Sequence, residues 1–177
     1  MFKSIITLFR HRWLDASDSR KTIPRDMAKR LMQRVAASEQ RHSGEIRIYI
    51  EAGLPMSYVW RHVWRKTPLR AVIRERAVMM FGKLRVWDTR HNNGVLIYLL
   101  LAEHAIELVA DRGINQCVSR VEWQSMVQRL SKNLHERRFE DGLTQALEEV
   151  SALLVQHFPQ QAGDADHNEL PDSPVVG

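Results

Sequence analysis

The sequence predicts an α/β fold, a small mixed sheet with helices on both faces, and three observations carry it. The first is the run Val95 to Leu101, apolar at every position and too short to cross a membrane as a helix. Val95, Ile97, Leu99 and Leu101 point one way and Leu96, Tyr98 and Leu100 the other, so this strand is central and covered on both sides. The second is the short polar break Glu103-His104, which folds Ile106–Ala110 back as the antiparallel partner in a hairpin. The third is Glu45–Glu51, an alternating strand separated from Val95 by a helical stretch. A strand, a crossover helix and a strand make a βαβ unit, so these two strands are parallel.

In order along the chain, residues 1–14 place Phe2, Ile5, Ile6, Phe9 and Trp13 on one helical face, with Lys3, Arg10 and Arg12 off it. That segment reads either as a helix docked on its own domain or a partner, or as one lying on an anionic membrane surface. Residues 15–23 are polar and read as a linker. Pro24 opens a helix to about Arg41, with Met27, Leu31 and Val35 inward and Ser43-Gly44 as its end. In the Glu45–Glu51 strand, Ile46, Ile48 and Ile50 face a core, while Arg47, Tyr49 and Glu51 form a semi-exposed face. Residues 52–66 are a long connection whose Trp60 and Trp64 permit a helical turn. With Arg61, Arg65 and Lys66 they form the best surface for an anionic partner.

Thr67, as a cap, and Pro68 open the crossover helix, which buries Leu69, Val72, Ile73, Ala77, Met80 and Phe81 and stops at Gly82. Leu84–Trp87 reads as a short extra strand or a loop. A hairpin centred near Glu103 sets Leu96 opposite Asp111 and Gly94 opposite Gly113, which brings loop 88–93 beside the turn 111–113. Ser119-Arg120-Val121-Glu122 matches a capping box and starts a helix to about Leu134. A last helix begins near Phe139 with a stripe from Leu143 to Leu154, His157 standing at its end. Residues 159–177 are polar, rich in Pro, Gly and acids, and read as a disordered tail. The domain therefore spans 24–158.

Charge is uneven. Residues 1–83 hold 18 Lys and Arg against 7 Asp and Glu, a balance of +11; residues 84–177 hold 8 against 14, a balance of −6. The basic half suits an anionic partner, but no nucleic-acid-binding motif accompanies it. The single cysteine, Cys117, excludes an internal disulfide, fits a reducing, cytoplasmic setting, and reads as a small buried hydrophobe. No phosphate-binding glycine loop, nucleophile elbow, zincin histidine pair, paired CxxC or EF-hand loop occurs.

What remains is the loop edge: Asp88, Arg90, His91, Asn92, Asn93, Asp111 and Arg112. Asp88, Asn92, Asn93 and Asp111 carry the hard oxygen donors that Ca²⁺ or Mg²⁺ accepts, and Arg90 and Arg112 can hold a phosphate through paired N–H groups. The bland alternative is two ordinary turns, Asn92-Asn93-Gly94 entering a strand and Asp111-Arg112-Gly113 leaving one.

At these residues the chain resembles a known family. GEIRIYIE, NNGVLIYLLLAEHAIELVADRGI and RRFEDGLTQALEEV, within Pro24 to Phe158, are similar to the TPM domain. That family takes its name from a thylakoid lumen protein, a photosystem II repair protein and a nematode receptor modulator. NGVLI, a hairpin and a DRGI-type turn are its most specific part here, and VWDTRHNNGVLIYLLLA looks closest to a short bacterial branch without signal peptide or anchor. The resemblance implies a three-layer α/β sandwich with about four strands, a phosphatase label and, in some members, a divalent cation at the loop edge. Asn93, Gly94 and Asp111-Arg112-Gly113 match that pattern. The aspartate-asparagine opening of secreted members is replaced by Thr22-Ile23-Pro24, which weakens the case for hydrolysis.

Two functions follow. One is a binding or assembly module with a divalent-cation site at the sheet edge, cytoplasmic or peripheral on the inner membrane face, using residues 1–14 toward a protein or an anionic membrane. The other is a metal-assisted phosphatase, with the cation on Asp88 and Asp111 and the phosphate on Arg90 or Arg112.

Overall fold

The computed structural model describes residues 22–136, 138–160 and 170–177. The order is α1 (Arg25–Glu39), β1 (Ile46–Glu51), α2 (Met56–Trp64), α3 (Leu69–Lys83), β2 (Val95–Leu100), β3 (Ala105–Ala110), α4 (Arg112–Cys117), α5 (Arg120–His135), α6 (Phe139–His157) and β4 (Val175–Val176). The four strands form one mixed sheet in the order β3-β2-β1-β4. β1 and β2 are parallel, with Ile48 beside Ile97, and β2 and β3 are antiparallel. The α/β sandwich expected from the sequence is therefore the architecture.

Side-chain alternation builds the layers. Ile46, Ile48 and Ile50 of β1, Val95, Ile97 and Leu99 of β2, and Ile106 and Leu108 of β3 share one face, where α1, α5 and α6 cover them. Tyr49, Leu96, Tyr98, Leu100 and Val109 share the other, under α2 and α3. All six residues of β2 are buried, as a strand between two helical layers requires. Each fully buried Leu, such as Leu31, Leu96 or Leu130, contributes about 1.5–3 kcal/mol of transfer free energy.

Several elements depart from expectation. The hairpin register is two residues tighter: Leu96 pairs with Val109, and Gly94 meets Asp111 through the Asp111 N–H donating to the Gly94 carbonyl at 2.9 Å. The cause is the turn: Leu101–Glu103 form a 3₁₀ turn and His104 closes it at φ 47°, so Leu101 and Ala102, apolar and buried, lie in the turn rather than in the strand. Of the two readings of Leu84–Trp87, strand or loop, the loop holds: it is a turn with Arg85 at φ 56°. The connection 52–66 holds a nine-residue helix, α2. Thr67 makes no cap; Pro68 stands at the start of α3 without a side-chain bond. The polar face of β1 is not semi-exposed: Tyr49 and Glu51 are buried under the α2–α3 layer, and Arg47 is buried with its Nη1 donating to the Ser173 carbonyl of the tail at 3.4 Å.

The tail is the largest correction. A disordered segment over 159–177 does not describe its last eight residues. Leu170 is buried in the α2–α3 layer and Val175 and Val176 pair with Tyr49 and Ile50. The Leu170 N–H donates to Glu45 Oε2 at 3.3 Å and the Gly177 N–H to the Ile50 carbonyl at 2.9 Å. An open strand edge supplies backbone partners that a composition count does not register. At the other end Ile23, assigned to the linker, is buried in the main core. Residues 1–14, with the docked or membrane-lying helix expected there, lie outside the described residues.

Candidate functional site at the loop edge of the sheet

The hairpin brings the two polar segments together. The Gly113 N–H donates to the Asn92 carbonyl at 2.8 Å, and Arg112 Nε donates to Asn92 Oδ1 at 3.0 Å. Glycine is required on both sides of this seam. A Cβ on Gly113 would stand 2.5 Å from the His91 carbonyl oxygen and 2.6 Å from that of Asn92; one on Gly94 would stand 1.9 Å from the Val86 carbonyl oxygen. Asn92 itself sits at φ 52°, a left-handed conformation that asparagine tolerates better than most residues. The sequence NNG thus combines a left-handed turn residue, a buried side chain and a strand start without a Cβ.

Asn93 is fully buried. Its main-chain N–H donates to Thr89 Oγ1 at 3.1 Å, and its Nδ2 donates to the Ser43 carbonyl at 3.1 Å, tying the loop to the chain before β1. Asp111 is the N-cap of α4: its Oδ1 accepts from the Arg112 N–H at 2.7 Å. What each side chain leaves over is an acceptor. Asn93 Oδ1 and Asp111 Oδ2 are both shielded from solvent, and neither has a donor among the described residues. The two residues lie at paired strand ends, since Asp111 bonds to Gly94, the neighbour of Asn93. An uncompensated buried acceptor costs about 1–3 kcal/mol, so each of these oxygens is open to a donor such as water or to a cation.

The remaining candidates stand apart. Asp88 is exposed, its N–H turned to the Arg85 carbonyl, and its carboxylate meets none of the other candidates. Arg90 is exposed on the same loop. Among the described residues, no group of three or more His, Cys, Asp or Glu side chains converges. The oxygens of the kind a hard cation takes that are left without a partner at this edge are thus Asp111 Oδ2 and Asn93 Oδ1.

His42 was not among the expected site residues. It is buried two residues before Gly44, and Nδ1 donates to the Gly44 carbonyl at 2.9 Å, which makes Nε2 the bare nitrogen. Burial lowers its pKa to about 4, with Arg41 adding to the effect. A fully connected polar group was missed as well. Glu51 is buried on β1 and ion-paired with Arg76 of α3, and it accepts from Tyr98 Oη at 2.6 Å. Arg76 lies over the Tyr58 ring at 5.5 Å, and Tyr49 stacks on Tyr98 at 5.9 Å. Burial first, and the Glu51 charge second, raise the Tyr98 hydroxyl far above its ordinary pKa. Glu51 and Arg76 are 25 positions apart, and only the packing of α3 on β1 joins them.

On α2, Trp60 and Trp64 stack at 5.0 Å and remain 48% and 73% exposed. Arg61 is committed to Glu75 at 2.6 Å; Arg65 and Lys66 are exposed. Cys117 is exposed rather than buried, because it falls on the outer side of the short helix α4. No helix among the described residues is long and apolar enough to cross a membrane.

Comparison with known proteins bears on this edge. No curated protein matches the chain. Among solved structures, the fold is similar to the NMR structure of BA42 protein from the psychrophilic bacterium Bizionia argentinensis, with a TM-score of 0.71 and 24% identity. The match covers 88% of this chain and 95% of that one, and at this identity it speaks to fold alone. The model of the TPM domain matches residues 16–153, a span that takes in the βαβ unit, the hairpin and nearly all of the closing helix pair. The chain belongs to the TPM domain family.

Proposed function

We propose that this chain is a binding and assembly module with a divalent-cation site at the loop edge of its sheet. The observation that carries this reading is the pair of buried, donorless oxygens Asn93 Oδ1 and Asp111 Oδ2 at adjacent strand ends. Carboxylate and amide oxygens are the ligands Ca²⁺ and Mg²⁺ take, and a site with so few protein donors retains several waters and binds weakly. Asn92, whose Oδ1 accepts from Arg112, and the exposed Asp88 lie on the same loop and are not among the direct ligands of this reading. The assembly surface is the stacked, exposed Trp60–Trp64 pair with Arg65 and Lys66, an aromatic and basic patch suited to an acidic protein or an anionic headgroup layer. Residues 1–14 add the same chemistry to that partner, and a cytoplasmic or inner-face setting suits both.

The test is a titration of Ca²⁺ and Mg²⁺ followed by backbone amide shifts, on the wild type and on Asp111→Asn. Asparagine keeps an oxygen to cap α4 and removes only the charge, so the fold is retained. Saturable shifts at 88–93 and 111–113, lost in Asp111→Asn, are the expected result. Wild-type amides that do not respond at millimolar ion would sink the cation site.

A second reading, metal-assisted hydrolysis of phosphate esters, is favoured by Arg112. Its Nε is anchored on Asn92 Oδ1, while its terminal nitrogens have no partner among the described residues. Such a guanidinium can grip a phosphate. Turnover of a phosphate ester that vanishes in both Asp111→Asn and Arg112→Met would establish it; the absence of turnover with ion bound would leave the binding module alone.

A further inference from the structure

A separate concave site runs along β3. A cavity of about 750 Å³ opens between α3 and α5, lined also by Leu108 of β3 and Asn115 of α4, and none of Asp88, Asn92, Asn93 or Asp111 lines it. Its size falls within the roughly 300–1,000 Å³ of small-molecule sites. The lining is of two kinds. Val118, Trp123 and Val127 give an apolar wall, and Arg70, Arg74 and Arg120 give three guanidinium groups. One carboxylate, Glu107, faces them, and it is already taken: Arg74 Nη1 donates to Glu107 Oε2 at 3.3 Å and also to the Leu108 carbonyl.

These two hydrogen bonds of Arg74 have two consequences. Arg74 is held in place without further ordering, and Glu107 neutralises about one of the three positive charges. Arg120 makes no hydrogen bond or ion pair among the described residues, and Arg70 acts on Glu107 only through space. A buried donor adds an independent observation. Trp123 is 9% exposed, and its indole Nε1–H is shut away from solvent with no acceptor. A buried indole N–H usually has a partner. Among the described residues no acceptor reaches it, and Trp123 lines the cavity.

We propose that this cavity binds an amphipathic oxyanion, with a carboxylate or phosphate head among Arg70, Arg74 and Arg120 and an apolar, ring-sized body against Val118, Trp123 and Val127. Guanidinium groups take either head through paired N–H donors. The site goes beyond the loop-edge reading and shares no residue with it.

The experiment uses the full chain and 1-naphthoate, 1-naphthyl phosphate and neutral 1-naphthalenemethanol as probes. It follows the Trp123 indole N–H signal, assigned through Trp123→Phe, together with the amides of 70, 74, 108 and 115. The expected result is saturable shifts at these positions with at least one anion, bound about tenfold or more tightly than the alcohol. The tighter anion identifies the head. The Arg70→Ser/Arg120→Ser double variant, altered only at exposed positions, should erase the preference for the anion. Ala71→Trp, on the solvent side of α3, should block all three probes while leaving the loop-edge amides unmoved. Either of two results overturns the proposal: no response of the Trp123 indole to millimolar anion, or equal binding of alcohol and anions.

Discussion

Two polar clusters occupy this sheet, and they are built on opposite terms. On the α2–α3 face, Glu51, Arg76 and Tyr98 satisfy one another under cover, with Tyr49 and Tyr58 closing over them. At the loop edge, Asn93 and Asp111 are held just as firmly, yet each keeps one buried oxygen without a donor. The first cluster has nothing left to offer a ligand and acts as structure. The second keeps two acceptors unspent on a loop held by its own backbone bonds, and the cation site proposed above would draw on them.

Breaking the first cluster should cost the most. Arg76→Met strands the Glu51 carboxylate in the sheet and should lower unfolding free energy by about 3–5 kcal/mol. A urea midpoint unchanged from wild type would mean that Glu51 is solvated. The ion response of the loop edge, read on the folded fraction, should survive.

Next comes pH. The folded protein holds His42 near 4 against 6.5 in the unfolded chain. As pH falls from 6.5 toward 4, the unfolded chain takes up a proton that the folded one refuses. Stability is therefore full above 6.5 and falls across that window by up to about 3 kcal/mol. Urea midpoints measured through the window should decline in wild type and decline less in His42→Leu; parallel curves would refute the assignment.

Tyr98→Phe removes one hydrogen bond to a carboxylate that Arg76 continues to hold, so the loss should be about 1.5–3 kcal/mol, smaller than for Arg76→Met. If the two losses were equal, the hydroxyl and the guanidinium would act as one unit. The smallest effect belongs to Asp111→Asn. With the cap retained, stability should move by less than about 0.5 kcal/mol while the cation response disappears. A large stability loss there would make Asp111 structural and remove the contrast between the clusters.

Much of this arrangement was legible in the sequence. Alternation in Glu45–Glu51 and the unbroken Val95–Leu101 run gave the parallel pair, and the short polar break gave the hairpin that brings loop 88–93 to Asp111. Ser119 caps α5 as its motif predicts, accepting from the Glu122 N–H at 3.2 Å. The exact register was hidden because Leu101 and Ala102 are apolar for the sake of the turn, and period-two patterning cannot tell a buried turn from a strand end. The tail was hidden because three apolar residues, Leu170, Val175 and Val176, are enough when an open edge supplies the hydrogen bonds. At the candidate site, residue types pointed to two loops that the hairpin does bring together, but which oxygen ends without a donor depends on Thr89, Ser43 and the α4 backbone, none of which is marked by spacing. Glu51 and Arg76 look like surface charges until α3 is laid over β1.

One feature of the tail reaches beyond the fold. Val95–Leu100 is a six-residue block of the composition that stacks into fibrils, with no charge, proline or glycine to interrupt it. It sits inside the sheet, with β3 between it and one margin and β1 and β4 between it and the other. On one margin Arg74 and Asn115 occupy the outward carbonyls of Leu108 and Ala110. On the other the guard is β4, two valines laid against Tyr49 and Ile50. Colloidal safety of the whole molecule thus depends on a clasp of a few residues, and any event that lifts or clips it turns β1 into a template for a neighbouring molecule.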